Sequence, residues 1–334
     1  MRILIVHHGV IPSAAYGGTE RVIWGLGRAL IELGHHVRYL VHPDSRCSFA
    51  EVIPLNTKIP LVQQLPSDVD IAHLQFIPEQ ALDTAVPIIS TQHGNSEVGQ
   101  ILPRNTVFLS ANHAARHGAT CYVLNGLDWR DYGELKPEQV ENRSDGGYFH
   151  FLGKAAWRVK NVQGAIDVAL AAGQRLVVMG GNRINFKRGF RITLSPKVQF
   201  MGMVGGEAKL NVLRHSRGLI FPVRWHEPFG LTVIESLYFG APVFATPHGA
   251  LPELVAPECG VLSTSGDELV DAIEHRQFDP VTCHHAAKSY FSAQRMANDY
   301  LAVYERVVSG ELLNSNMPVM HESAQSLSWS APRG

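Results

Sequence analysis

The sequence predicts an α/β protein made of two doubly wound domains, and three observations carry that reading. Short, continuous apolar runs such as Ile3–Val6 recur along the chain, as strands buried on both faces require. Segments with apolar residues at helical spacing alternate with them, so strand follows helix follows strand. A chain of 334 residues is also long enough for two domains of ordinary size.

In the first half, Ile3–Val6 ends in His7, His8 and Gly9, then Gly17 and Gly18 precede a helix carrying Val22, Ile23, Leu26, Ala29, Leu30 and Leu33 on one face. Gly34 caps that helix, and Val37–Val41 is the second strand of a βαβ unit. Paired glycines at a helix entrance let backbone approach a phosphate closely, although plain turn chemistry explains them as well. The pattern is not Gly-x-Gly-x-x-Gly, which removes the best support for a nicotinamide cofactor. Further strands are expected at Asp70–Phe76, Val86–Thr91, Val107–Ser110 and Cys121–Leu124. Asp68 and Asp70 form an Asp-x-Asp, but they precede a strand, at the wrong sheet edge for a ligand; the reading is a loop, with no metal. His93, followed by Gly94, stands at the correct edge, where it either reaches a ligand or serves as a structural histidine.

In the second half, Tyr148–Leu152, Leu176–Met179, Val198–Met201, Leu219–Val223 and Val243–Ala245 read as strands. The loop after the first of these carries Lys154 and Lys160 before a helix over Val162–Ala172. The fullest pattern runs from Arg224 to Phe244. Glu227 opens it, Pro228, Phe229 and Gly230 turn the chain, and Leu231, Ile234, Leu237 and Tyr238 repeat at helical spacing around a second acid, Glu235. A helix is expected from about Phe229, with both carboxylates on one face, about 10–12 Å apart. Its entrance offers unpaired backbone N–H groups and the positive end of a dipole, suited to a phosphate or a sugar hydroxyl.

Composition excludes several classes. Hydrophobic residues make up 45% and charged residues 18%, as in a globular protein with an ample core. A net charge of -1 gives no electrostatic case for nucleic acid and little for an anionic membrane. The four cysteines are scattered, with no Cys-x-x-Cys, which favours a reducing compartment. No signal peptide or membrane span is apparent, so the expected location is cytoplasmic. The 17 histidines form no second cluster at zinc-ligand spacing beside Cys283, His284 and His285, and His7, His8, His35 and His36 are read as structural or surface groups.

The Glu227-to-Glu235 string, with seven residues between the acids, resembles the signature of retaining glycosyltransferases of the two-domain GT-B fold, in the large family called family 4. Several other stretches are similar to that family's pattern: Gly17-Gly18-Thr19-Glu20, Thr91-Gln92-His93-Gly94, Asn125-Gly126-Leu127-Asp128, Phe200-Met201-Gly202-Met203-Val204 and Gly249-Ala250-Leu251-Pro252-Glu253. The resemblance covers about residues 1–308. It implies domains over 1–130 (acceptor side) and 148–295 (nucleotide-sugar side), with a linker at 131–147. A helix over 296–309 would pack back across the junction, and 310–334 would form a mobile tail.

The same resemblance implies the site. Glu227, His93, Lys154 and Lys160 would carry catalysis, with the lysines stabilising the departing diphosphate. Gly17, Gly18, Met203, Val204, Phe229, Gly230, Leu231 and Glu235 would bind the donor, Glu235 taking ribose hydroxyls and Met203 and Val204 the base. Lys154 stands where the family usually has Arg and lacks the bidentate fork of a guanidinium. The expected activity is retaining transfer from a nucleotide-diphosphate sugar, a UDP-sugar favoured, to the hydroxyl of a soluble or small acceptor, without a metal or other cofactor. The alternatives are a non-catalytic sugar-nucleotide-binding or partner protein of the same fold, and a sugar-nucleotide epimerase or hydrolase.

Overall fold

The computed structural model describes residues 1–13, 17–135, 147–185, 191–323 and 327–333. Contacts divide the chain into two compact units: Met1–Asp131 with Tyr290–Ser323, and Tyr132–Ser289 with Ala324–Gly334.

The first unit is built on a six-stranded sheet of order β3-β2-β1-β4-β5-β6, every pairing parallel. Its strands are β1 (Arg2–Val6), β2 (His36–Val41), β3 (Glu51–Pro54), β4 (Ile71–Leu74), β5 (Ile88–Thr91) and β6 (Thr106–Val107). Ile3 to Val6 and Ile71 to Leu74 are fully buried, which is why these strands read as continuous apolar runs. Helix α1 (Gly18–Glu32) covers the sheet with Val22, Ile23, Leu26 and Leu30, and α2 is the short Ala111–Ala115. Cys121–Leu124 forms no strand; only an isolated bridge joins Phe108 to Tyr122.

The second unit repeats the plan with order β11-β8-β7-β12-β13-β14, again parallel throughout. These are β7 (Tyr148–Leu152), β8 (Leu176–Met179), β11 (Val198–Phe200), β12 (Ser216–Phe221), β13 (Val243–Ala245) and β14 (Gly260–Leu262). The antiparallel pair β9 (Ile184–Asn185) and β10 (Arg191–Ile192) is inserted between β8 and β11. The helices are α3 (Val162–Ala171), α4 (Gly206–Arg214), α5 (Leu231–Tyr238), α6 (Leu251–Leu254), α7 (Gly266–His275) and α8 (Pro280–Tyr290). Leaving the hairpin aside, both units have the strand order 3-2-1-4-5-6. Each therefore has a topological switch point, beside β1 in one and β7 in the other, and ligands of doubly wound sheets bind at that place beyond the strands' carboxyl ends.

The chain then returns to the first unit as α9 (Ala293–Val308), which packs on α1. Gly126 lets the two segments meet, since a Cβ there would lie 2.1 Å from the Ser292 carbonyl oxygen. Leu127 donates its N–H to Phe291 and accepts one from Ala293. Asp128, buried, holds Arg28 and Arg130 at 2.8 Å each. Helix α9 thus starts at Ala293, three residues before the expected 296, and most of the expected linker, 136–146, lies outside the described residues.

The expectation of a mobile tail over 310–334 is corrected for its described residues: in 327–333, Leu327 N donates to the Arg224 carbonyl and Ser330 bridges Ser265 in the second unit, and 310–323 pack on the first. Leu313, Asn314 and Met320 are buried in the first unit, and Val319 bridges Ile101. The Asn314 amide group donates to the carbonyls of Arg104 and Thr106 at 2.8 Å each and accepts from the backbone of Thr120 and Cys121. A polar sequence concealed this, because the segment is held by hydrogen bonds more than by apolar periodicity. Asn314→Ala leaves buried backbone groups unpaired and should lower the stability of the first unit by about 1–3 kcal/mol. Urea unfolding of the full chain, followed by a probe in that unit, checks this.

Candidate functional site

In the second unit two loops meet at the switch point. The one after β7 runs from Gly153 through the tight turn Arg158–Lys160 to Asn161, whose φ of 52° is left-handed. Asn161 caps α3 by accepting from Gly164 N at 3.1 Å and donates to the Pro222 carbonyl at 2.8 Å, which fixes this loop against the one after β12. Arg224 N adds a bond of 2.7 Å to the Val159 carbonyl. Further along, Glu227 forms a bridge with Gly249. A Cβ at Gly249, with its φ of +67°, would lie 2.3 Å from the backbone N and O of Glu227, so only glycine permits the approach.

This scaffold brings Lys160 and Glu227 together. The Lys160 ammonium donates to Glu227 Oε2 at 2.6 Å, and the Trp225 indole N–H donates to the same oxygen at 2.7 Å. The side chains of the pair are only 13% and 10% exposed, so this contact is little screened by water. Lys160 also lies 4.5 Å from the Trp225 ring centroid and 5.3 Å from that of Phe221. Lys154 is placed apart: it is exposed and lies 4.8 Å from the centroid of Trp157, which meets Trp225 edge to face. The two lysines therefore share a platform of two tryptophans, while only one of them touches the acid.

Helix α5 begins at Leu231, two residues later than expected, after Gly230 with φ 109°. No side chain caps its N-terminus, where Phe229 is buried and Leu231 supplies the first turn. The picture of both acids on one helix face is thereby corrected. Glu227 precedes the helix in a bridged loop, because Gly230 in a left-handed conformation ends that loop before helical hydrogen bonding begins. Glu235 lies within α5 and is 1% exposed, with Oε1 accepting from Lys209 Nζ at 2.5 Å and from Tyr132 OH at 2.7 Å. The Lys209 ammonium also lies 5.2 Å from the Tyr132 ring centroid. Met203, 54% exposed, and Val204 follow Gly202 on the loop between β11 and α4.

The first unit carries its own cluster at the carboxyl ends of β1, β4 and β5. His7 Nε2 lies 3.6 Å from Glu20 Oε1 in the first turn of α1. Glycines make the room: a Cβ at Gly17 would lie 2.5 Å from Glu20 Oε2, and one at Gly9 would lie 2.5 Å from His7 Nε2. Gly17 is the N-cap of α1 and Gly18 its first residue, with no side-chain cap. The His7 contact holds the Glu20 carboxyl below its usual range, against the opposing effect of burial. His93 Nε2 lies 2.8 Å from Gln75 Oε1, and Gln75 Nε2 lies 3.0 Å from His73 Nε2. His73 continues to Thr91 at 2.7 Å and to Tyr304 at 2.8 Å, and Thr91 to Tyr300 at 2.9 Å. Burial, aided by the nearby His7, lowers His93 to about 4, and burial lowers His73 to about 3, so both rings are neutral near pH 7.

Of the sequence-derived candidates, Lys160 and Glu227 touch, Lys154 stands beside them, and His93, Gly17 and Gly18 belong to the first unit's cluster. The Asp-x-Asp is engaged elsewhere: Asp70 holds Arg2 and Asp68 holds Arg38, each at 2.7 Å. Sequence reasoning missed Trp225, Lys209, Tyr132 and Gln75, and read His7 as a structural or surface group. Only Trp225 lay within a pattern already singled out, two residues before Glu227.

Residues 138–276 match the family model described as glycosyl transferases group 1. That stretch is similar to a group 1 glycosyltransferase domain. Solved structures agree on the fold. AviGT4, a glycosyltransferase involved in avilamycin A biosynthesis, superposes with a TM-score of 0.73 at 22% identity, over 92% of this chain and 98% of that one. Sucrose-phosphate synthase from Thermosynechococcus elongatus gives 0.68 at 18% identity, over 93% and 100%. HepE from Anabaena, in complex with UDP-glucose, gives 0.62 at 16% identity, over 92% and 100%. The chain thus has the GT-B fold. No curated protein matches its sequence.

Because His73 and His93 stay neutral in the fold while an unfolded histidine takes up a proton near pH 6.5, the unfolded state binds more protons below that pH. Their contribution is complete above about pH 7 and declines as pH falls from 6.5 toward 4. Urea unfolding of the protein should show stability falling over that window. Nitrogen-15 spectra should show the His93 ring still unprotonated at pH 5.5.

Proposed function

We propose that the protein is a retaining glycosyltransferase that moves a sugar from a nucleotide-diphosphate sugar, a UDP-sugar favoured, to the hydroxyl of a soluble or small acceptor. The observation that carries this reading is Glu227 held by Lys160 at the entrance of a helix with no side-chain cap. The N–H groups around Phe229, Gly230 and Leu231 suit the diphosphate. Lys160, with Lys154 close by, stabilises the charge that gathers as the bond from the anomeric carbon to the diphosphate oxygen breaks.

In this reading the bonding electron pair leaves with the diphosphate. Glu227 orients the sugar and supports positive charge at the anomeric carbon. The acceptor oxygen bonds that carbon on the face the diphosphate leaves, and its proton passes to a diphosphate oxygen. No metal is needed: Lys160 and the α5 terminus supply positive charge, and the carboxylates of the Asp-x-Asp are occupied by arginines. His93, neutral and beside Gln75, serves as a hydrogen-bonding group for the donor sugar. Met203 and Val204 offer apolar surface for the base. Glu235 takes ribose hydroxyls once Lys209 and Tyr132 yield an edge of its carboxylate, which they now close. The UDP preference draws support from HepE, solved with UDP-glucose; starch synthase IV from Arabidopsis thaliana, solved with ADP and acarbose, makes ADP the alternative. Four free cysteines fit a cytoplasmic protein.

A screen of UDP-, GDP- and ADP-sugars in the presence of EDTA tests the proposal. One nucleotide should raise the melting temperature, and its sugar conjugate should slowly release the diphosphate. Glu227→Gln should keep the fold and lower turnover by about 10²–10³-fold, as loss of a group that stabilises transition-state charge does. A folded protein that none of the three nucleotides stabilises would refute the donor-site reading.

A further inference from the structure

We propose, resting on the donor-site reading of Lys160 and Glu227, that Trp225 is the positioning residue that keeps Glu227 in place when Lys160 turns to the diphosphate. Two donors converge on one carboxylate oxygen: Lys160 Nζ at 2.6 Å and Trp225 Nε1 at 2.7 Å both reach Glu227 Oε2. A carboxylate has room for about four hydrogen bonds over its two oxygens, so crowding both donors on Oε2 leaves Oε1 as the edge presented to substrate.

The two donors differ in what they can do next. An ammonium on a four-carbon stem carries three protons and re-aims readily toward a new anion. The indole N–H is a single donor fixed in the plane of its ring. That ring is held in turn: Trp157 packs against it edge to face at 6.2 Å and 85°, and Lys160 lies over it at 4.5 Å. It also belongs to the loop that delivers Glu227, two residues earlier, and that loop is tied down by the bonds from Arg224 N to Val159 and from Ala250 N to Glu227 O.

An incoming diphosphate competes with Glu227 for Lys160. When Lys160 moves, Glu227 would be a carboxylate only 10% exposed with one partner gone. Such a group rotates toward water unless another donor holds it. Trp225 supplies that donor. The arrangement lets one lysine serve both the resting acid and the departing diphosphate, while the sugar-facing oxygen of Glu227 stays where it is.

The test uses Trp225→Phe in the full chain, which keeps an aromatic ring at this position and removes the N–H donor. Its melting temperature should stay within about 3 °C of wild type. Its dissociation constant for the nucleoside diphosphate, with UDP, GDP and ADP each tried by calorimetry, should change less than about threefold, while kcat for donor turnover should fall about 10–100-fold, the effect of losing a hydrogen bond to a charged group. In nitrogen-15 spectra, the indole signal missing from Trp225→Phe should lie downfield in wild type and remain there at saturating nucleoside diphosphate. An unchanged kcat, a parallel loss of kcat and nucleotide affinity, or an indole signal that moves to a solvent-like position on binding would overturn the proposal. A wild-type protein that binds none of the three nucleotides would instead overturn the donor-site reading beneath it.

Discussion

The Lys160–Glu227 ion pair is the contact around which the second unit's site is arranged. Two opposite charges this far from water are not held together cheaply: their desolvation roughly offsets their attraction unless other groups complete the hydrogen bonding. The surroundings meet that requirement. Asn161, in a left-handed conformation, sets the turn that aims Lys160. Gly249 admits the backbone of Glu227, Gly230 ends its loop, and Trp225 adds a second donor. Each of these features is costly or unusual alone and makes sense as support for one carboxylate and one ammonium. The sheet explains their location, since the two loops leave neighbouring strands at the point where strand order reverses.

The first unit solves a different problem at its own switch point. It carries neutral histidines, kept so by burial, in a chain of hydrogen bonds from Tyr304 through His73 and Gln75 to His93. A neutral ring is rigidly placed and can donate or accept without attracting an anion. The one acid of the cluster, Glu20, is paired with His7 instead. The two units thus share a strand order and differ in electrostatics: strong charges on one, neutral polar groups on the other.

The sequence made the fold legible because both sheets are parallel and buried, so strands stand out as apolar runs and helices as amphipathic segments. It failed where those signals are weak. Glu51–Pro54 has one apolar pair and lies at a sheet edge, and Gly260–Leu262 is three residues long. The segment after Gly310 is polar and is held by the amide of Asn314. At the site, Glu227 and Lys160 were readable from spacing, as was the placement of His93 at a strand end. The distribution of partners was not. Lys209 sits on a helix with ordinary charged neighbours, and nothing in its spacing shows that it turns inward to Glu235. Gln75 and His7 meet their partners only because parallel strands bring distant residues to one edge.

The measurement that bears most directly on the Lys160–Glu227 account is calorimetric binding of the nucleoside diphosphate to wild type, Lys160→Met and Glu227→Gln. If the lysine is shared between the acid and the diphosphate, Lys160→Met should bind at least about tenfold more weakly, the effect of one lost charge-assisted hydrogen bond. Glu227→Gln, which frees Lys160 from its competitor, should bind as tightly as wild type or more so. Equal weakening in both variants would contradict the account, because it would mean that the pair serves the fold as a unit and does not exchange its lysine with the ligand.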